Sequence, residues 1–157
     1  WELLWEAGQE FKISAGGPNI ILRLEGGILS YLADIDRSNN PYEVGLDWLV
    51  DLEQEDDFIG KEALRLVCQN GPTKKLMGAE IHGDPIEDSN ADHWPVFING
   101  KKVGSMNAMV YSPRLDKNIC YTILDIEHAK SGQEIIIAAP EKDLMATTVD
   151  LPWRERA

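Results

Sequence analysis

The sequence predicts an α+β chain in two parts: a mixed α/β segment over residues 1–71, followed by a small antiparallel β-barrel over residues 72–157. Three observations carry that reading. Helical spacing dominates the first part, six short strand-like runs separated by turn residues fill the second, and Asn70-Gly71-Pro72 stands between them. Short runs of that number and spacing suit a small closed or two-layered β domain.

In the first part, Trp1, Leu4, Trp5, Gly8 and Phe11 recur at helical spacing, with Glu2, Glu6 and Glu10 mostly on another face. This predicts an amphipathic helix over 1–12. Trp stands first instead of Met, and no capping residue precedes it, so the helix is expected to begin upstream. Gly16-Gly17-Pro18 is its expected stop. The short, β-branched run Ile20-Ile21-Leu22-Arg23-Leu24 reads as a strand. Ile28, Leu29, Leu32 and Ile35 then return to helical spacing, up to the polar turn Ser38-Asn39-Asn40-Pro41. Asp47, Asp51, Glu53, Glu55, Asp56 and Asp57 predict a solvated acidic loop. A short helix with Ala63, Leu64 and Val67 on its apolar face closes at Asn70-Gly71-Pro72, a glycine stop followed by proline.

The six strand candidates are 76–81, 96–98, 101–106, 119–124, 135–138 and 147–151. Asn99-Gly100 joins the second to the third. That pair supplies the positive φ angles of a two-residue type I′ hairpin.

Composition sets the outer bounds. The 157 residues carry 27 Asp+Glu against 15 Lys+Arg, a formal net charge of −12, and 43% are hydrophobic. A chain of this size buries roughly two thirds of its unfolded surface and needs no metal or disulfide as a staple. A nucleic-acid or anionic-membrane partner is not expected, because phosphate surfaces need clustered Lys/Arg. No apolar run approaches the roughly 18 residues of a membrane span, and no signal-peptide pattern opens the chain. Cys68 and Cys120 lie far apart without a CxxC, which suits buried thiols in a reducing, cytoplasmic compartment.

Self-sufficient chemistry is hard to find. His82, Asp84, Glu87, Asp88, Asp92 and His93 have the composition of a metal site. They lack the fixed short spacing of ligands on one helix face and match no EF-hand, so a solvated connection between strands is expected and no metal is assigned. His128 stands apart. No GxSxG, HExxH, Walker A or GxGxxG occurs, and neither Ser112 nor Cys120 has a base close in sequence.

A series of motifs nevertheless runs the length of the chain in order: Leu22-Arg23-Leu24-Glu25-Gly26-Gly27, Ser30-Tyr31, Asn40-Pro41-Tyr42-Glu43-Val44-Gly45-Leu46-Asp47-Trp48, Asp57-Phe58-Ile59-Gly60-Lys61-Glu62-Ala63-Leu64, Lys74-Lys75-Leu76-Met77-Gly78, Gly100-Lys101-Lys102-Val103-Gly104 and Tyr111-Ser112-Pro113-Arg114-Leu115. The series resembles the glycine-cleavage T-protein (aminomethyltransferase) family. That resemblance implies the end of a mixed α/β folate-transferase domain followed by the family's C-terminal barrel, with tetrahydrofolate as one-carbon acceptor. A typical member is more than twice as long, and its catalytic aspartate falls outside this chain, so no catalytic residue is assigned here. Glu25 matches the glutamate that the family uses in its folate site. A carboxylate there can accept two N–H donors from the pterin edge; the plainer alternative is a solvated or helix-end glutamate. Tyr31, six residues on, is either a ring against the folate or a core tyrosine. Trp48 is expected to pack.

The resemblance also implies partners: folate, a small one-carbon donor and, in glycine cleavage, a lipoyl carrier protein. Two departures bear on the donor. Gln54 stands where aminomethyltransferases carry a substrate-side arginine, and Leu32 replaces the glycine after the tyrosine. The wording around Gly17-Pro18-Asn19, Leu29-Ser30-Tyr31 and Asn39-Asn40-Pro41 looks closer to the branch resembling dimethylsulfoniopropionate demethylase. The alternative is a non-catalytic folate-binding module, or the C-terminal region of a sarcosine or dimethylglycine dehydrogenase fusion. The K-G-C-Y-x-G-Q element of the folate-binding repair branch is absent from this sequence.

Overall fold

The computed structural model describes residues 1–14, 16, 19–87, 89 and 92–153. Its second part is a closed barrel of β1 (Lys74–Ile81), β2 (Trp94–Ile98), β3 (Lys101–Ser112), β4 (Lys117–Asp125), β5 (Glu134–Ala138) and β6 (Asp143–Val149). The order around the barrel is β1-β4-β3-β2-β5-β6, and β6 pairs back onto β1. Every pairing is antiparallel. All six strand candidates are therefore present; the third runs on to Ser112, the sixth starts at Asp143 and stops at Val149 instead of Leu151, and the others start one or two residues early. Asn99 and Gly100 take φ of 50° and 78°, as a type I′ turn requires.

Alternation along the strands splits the core in two. Met77, Ala79, Val96, Val103, Met106, Cys120, Leu124, Ile135 and Ile137 fill the barrel. Leu76, Ala108, Val110, Ile119, Tyr121 and Ile123 face outward, yet they are buried too, under Leu24 and Val44 of the first part. This explains why β4 is buried without a break from Asn118 to Leu124, with Thr122 its one polar residue between Ile119 and Leu124. A strand covered on both faces loses the inside/outside alternation.

The described residues of the first part hold three α-helices: α1 (Glu2–Gly8), α2 (Ile20–Glu25) and α3 (Lys61–Asn70). In α1, which a 3₁₀ turn extends to Phe11, the predicted apolar stripe is present and faces outward, Trp1 and Leu4 being largely exposed. The helix ends earlier than its expected stop, at left-handed Lys12; Gly17 and Pro18 lie outside the described residues. α3 matches its prediction and stops at Gly71, φ 80°.

Two expectations are corrected. The run Ile20–Leu24 is helix, not strand. Asn19 caps it, its Oδ1 accepting from the Leu22 N–H at 3.1 Å, and this local cap decides a short apolar run whose periodicity is ambiguous. Residues 28–35 are not a helix. Gly27 (φ 71°) ends α2, Leu32 itself is left-handed (φ 72°), and Tyr31 bridges to Ile35 across a tight turn. The acidic stretch is a loop as expected, opened by a 3₁₀ turn at Asp47–Leu49. It is pinned by Lys61, whose buried Nζ donates to the Gln54 carbonyl at 2.7 Å and the Asp56 carbonyl at 3.1 Å.

Candidate functional site

The site grows out of α2. Successive helical residues point about 100° apart, so Arg23, Leu24 and Glu25 leave the helix in three directions. Leu24 enters the outer core. Arg23 forms an ion pair with Asp34 and donates to the Ile28 carbonyl at 3.3 Å, closing the turn that follows the helix. Glu25, only 1% exposed, meets the barrel.

The barrel receives Glu25 with the β3–β4 hairpin. Ser112 donates its hydroxyl to Glu25 Oε1 at 2.5 Å, and Arg114 donates Nε–H to Oε2 at 2.9 Å. Ser112 is fully buried, whereas the Arg114 side chain is 51% exposed. The hairpin is held rigid by its own bonds. The Leu115 N–H donates to Ser112 Oγ at 3.2 Å, and the Tyr111 hydroxyl donates to Asp116 Oδ1 at 2.6 Å. That last bond, with burial, pushes the Tyr111 phenol above its ordinary range.

Two further links fasten the same segment. Tyr121, on the outer face of β4, places its hydroxyl 3.1 Å from the Leu24 carbonyl, 3.2 Å from Arg23 and 3.3 Å from Ile28. One proton serves these carbonyls in turn, beside the Ile28 N–H on Arg23, the Gly27 N–H on Leu24 and the Arg23 guanidinium on Ile28. Burial, and then the Asp34 charge, raise the phenol strongly, so it stays a donor. Asn107 is the extra residue of a bulge in β3, between the pairs Met106↔Thr122 and Ala108↔Tyr121. A bulge re-aims a side chain, and here Asn107 Nδ2 donates to the Asp34 carbonyl at 2.6 Å. Asp34 in turn takes the Ser30 N–H on Oδ2 at 2.7 Å. A cleft of about 440 Å³ opens beside the end of α2, lined by Gly26, Gly27, Gly45, Trp48, Lys75 and Leu151 among others.

The sequence-predicted residues are therefore placed as follows. Glu25 is a buried, acceptor-only carboxylate whose two oxygens already meet Ser112 and Arg114. Ionised, it can only accept hydrogen bonds, and at 1% exposure it is enclosed between α2 and the hairpin. Tyr31 lies on the turn beyond α2, more than half exposed. The helical stacking that would set Tyr31 above Glu25 is absent, because the chain turns at Gly26-Gly27. Trp48, expected to pack, is 70% exposed at the cleft, carried outward by its 3₁₀ turn. His82 and His93 go separate ways, His82 Nε2 to Thr147 Oγ1 at 2.8 Å and His93 Nε2 to the Ala33 carbonyl at 2.8 Å. Asp88 lies outside the described residues. Among those described, no group of three or more His, Cys, Asp or Glu is placed to hold a metal, and no helix is long and apolar enough to cross a membrane.

Arg114, Tyr121, Asn107 and Asp34 escaped the sequence reading. The largely apolar run of β4, broken only by Thr122, is a signal for Tyr121. The β3 bulge has no comparable signature.

A barrel docked on an Arg-Leu-Glu helix through a Ser-Pro-Arg-Leu hairpin defines a two-part architecture, and known proteins share it. Residues 74–153 match the glycine cleavage T-protein C-terminal barrel domain, and residues 1–54 match the GCVT N-terminal domain. Dimethylsulfoniopropionate demethylase of Ruegeria pomeroyi is 33% identical over 98% of this chain and 41% of its own length. An aminomethyltransferase of Synechococcus sp. is 34% identical over 99% of this chain and 42% of its own. The crystal structure of glycine cleavage system aminomethyltransferase T from Bartonella henselae superposes with a TM-score of 0.74 at 22% identity, over 85% of this chain and 37% of that one, and shows the shared fold. The chain belongs to the glycine-cleavage T-protein family. It spans about two fifths of the length of the curated relatives it matches.

Proposed function

We propose that this chain is the C-terminal part of a tetrahydrofolate-dependent one-carbon transferase. Residues 1–71 would be the end of the folate-binding domain and residues 72–157 the barrel, with Glu25 and Tyr31 contacting the folate. The observation that carries the reading is the pairing of relatives. Across nearly the whole chain it is similar both to a demethylase and to aminomethyltransferases, two activities that move a single carbon. Cys120 is buried as expected, whereas Cys68 on α3 is exposed; both are free thiols, which fits a cytoplasmic setting.

Bound tetrahydrofolate would supply the nitrogen that accepts the carbon. The protein's own residues would do the positioning. Ser112 and Arg114 fix the plane of Glu25, and a carboxylate fixed in this way can orient an N–H edge with both oxygens. Tyr121 and Asn107 hold the α2 segment against the barrel, so that the barrel sets where Glu25 sits. Orientation of this kind is a large part of what a transferase contributes.

The reading is tested with the protein at its full natural length. Tetrahydrofolate is supplied with either dimethylsulfoniopropionate or an aminomethyl-loaded lipoyl carrier protein, and one-carbon folate is quantified by mass spectrometry. Formation with one donor supports the reading and picks the branch. No turnover with either donor overturns it.

A further inference from the structure

Glu25 and Arg114 pose a conflict. Folate binding through Glu25, on which this inference rests, needs carboxylate oxygens that can face a ligand. Glu25 is 1% exposed, and Oε2 is met by the Arg114 Nε–H at 2.9 Å. Ser112, fully buried at the end of β3, cannot leave Oε1 without disturbing the barrel wall. Arg114 is different. It lies in the hairpin between β3 and β4, its side chain is 51% exposed, and Nε is the only guanidinium nitrogen with a hydrogen-bond partner among the described residues. Of Ser112 and Arg114, the first is built in and the second can swing into water.

We infer that Arg114 is a displaceable cover on Glu25: its N–H occupies the position that the N–H edge of a ligand must take, so that Arg114 and ligand compete for one carboxylate. Three physical points support this. A guanidinium presents N–H donors in a plane, the same pattern as an amino-pyrimidine edge. The contact is monodentate, because Ser112 holds the other oxygen, and it lacks the strength of a two-point fork. A half-exposed ion pair is also a weak contact, so displacing it costs a ligand little. The cover further acts as a filter. A ligand without an N–H edge offers Glu25 nothing in exchange for Arg114, whereas one that carries such an edge restores what it removes. Arg114 is thus a specificity-determining residue that touches Glu25, not a catalytic one. Leu115, anchored through Ser112 Oγ and packed on the outer core, keeps the hairpin in place while the arginine side chain moves.

The test measures the Kd of tetrahydrofolate, by titration calorimetry, for the protein at full natural length and its R114A, R114K and E25Q variants. Thermal melts check that each is folded. The inference expects R114A to bind about two- to fivefold more tightly, the gain from removing a weak competing pair, and R114K to lie between R114A and the parent. It expects E25Q to bind at least about tenfold more weakly, since a charged acceptor becomes a neutral one. Weaker binding by R114A makes the arginine a direct ligand contact and overturns the cover. Unchanged binding by R114A and R114K, with E25Q weakened, overturns the competition but leaves Glu25 in the site. Unchanged binding by E25Q overturns the folate role of Glu25 itself, and the cover with it. If R114A fails to fold, R114K carries the same comparison.

Discussion

The barrel and the segment from Asn19 to Leu46 are held by different means. Each barrel strand is tied to two neighbours by main-chain hydrogen bonds, and the interior is closed on itself. The segment has one six-residue helix and reaches the barrel through side chains: Glu25 on Ser112 and Arg114, the Arg23 and Leu24 carbonyls under Tyr121, and the Asp34 carbonyl on Asn107. A network of main-chain bonds shares damage among many members, whereas a side-chain tether can be cut singly. The barrel should therefore behave as the platform, and the segment as the part whose position can be tuned.

The hardest blow to that contrast is struck inside the barrel. Ile137, fully buried in the interior, becomes a cavity in I137A, at a cost of about 2–5 kcal/mol. Barrel and segment should melt together, seen as coincident loss of far-UV circular dichroism and Trp fluorescence. A segment that keeps its amide protection after the barrel is lost would contradict the platform role. Tyr121→Phe acts on the tether alone. It keeps the ring against Trp153 and removes the hydroxyl that serves the α2 carbonyls, at a cost of about 1–3 kcal/mol. Hydrogen exchange should quicken across residues 19–46 and stay slow in β1 and β4. Uniform quickening would mean that Tyr121 supports the barrel itself.

The same contrast explains what the sequence disclosed. The barrel is legible because its signals are local: Asn99-Gly100 names its own turn, and each strand is a short run set off by turn residues. The segment was misread at both of its elements. The run Ile20–Leu24 has the composition of a strand and becomes helix through one cap at Asn19. The helical spacing of Ile28, Leu29, Leu32 and Ile35 is broken by positive φ at Gly27 and Leu32. A non-glycine at φ 72° is unfavourable alone, and the turn is held by Arg23 and Asn107, the latter 73 positions from its partner. Periodicity cannot report such distant partners. The candidate site followed the same division. Glu25 was legible from its motif, while Arg114 and Ser112 became its partners only once the hairpin met α2.

A milder cut falls on the cap. Asn19→Ala leaves the Leu22 N–H without its acceptor and should cost about 1 kcal/mol. The loss should again be confined to the segment, as faster exchange in α2 with unchanged exchange in β2 and β5. An equal loss in those strands would show that α2 is part of the platform.

The smallest effect separates the two regions by acid. Asp36, in the segment, is held below its ordinary 3.8 by the Ser38 hydroxyl at 2.6 Å and then by the Ser38 N–H at 2.7 Å. Glu127, beside the barrel, is held below its ordinary 4.5 by its hydrogen bond to Lys101 and then by the charge of Lys101. Both shifts have the same sign. A depressed carboxyl stabilises the fold fully above its unfolded value, and the contribution is lost as pH falls through the lower folded value. Each site should therefore let go below its own ordinary value, Asp36 below 3.8 and Glu127 below 4.5, each for its own reason. Ser38→Ala should return the Asp36 carboxyl toward its ordinary value, followed by carbon-detected NMR titration, and leave Glu127 where it was. Because both groups are exposed, the change should appear in the titration curve and hardly at all in the melting temperature. Some depression should persist, because the Ser38 N–H still donates to Asp36 in the alanine variant. If Asp36 does not rise at all, the hydroxyl is not the larger cause and the main chain, not a side-chain tether, sets the charge there.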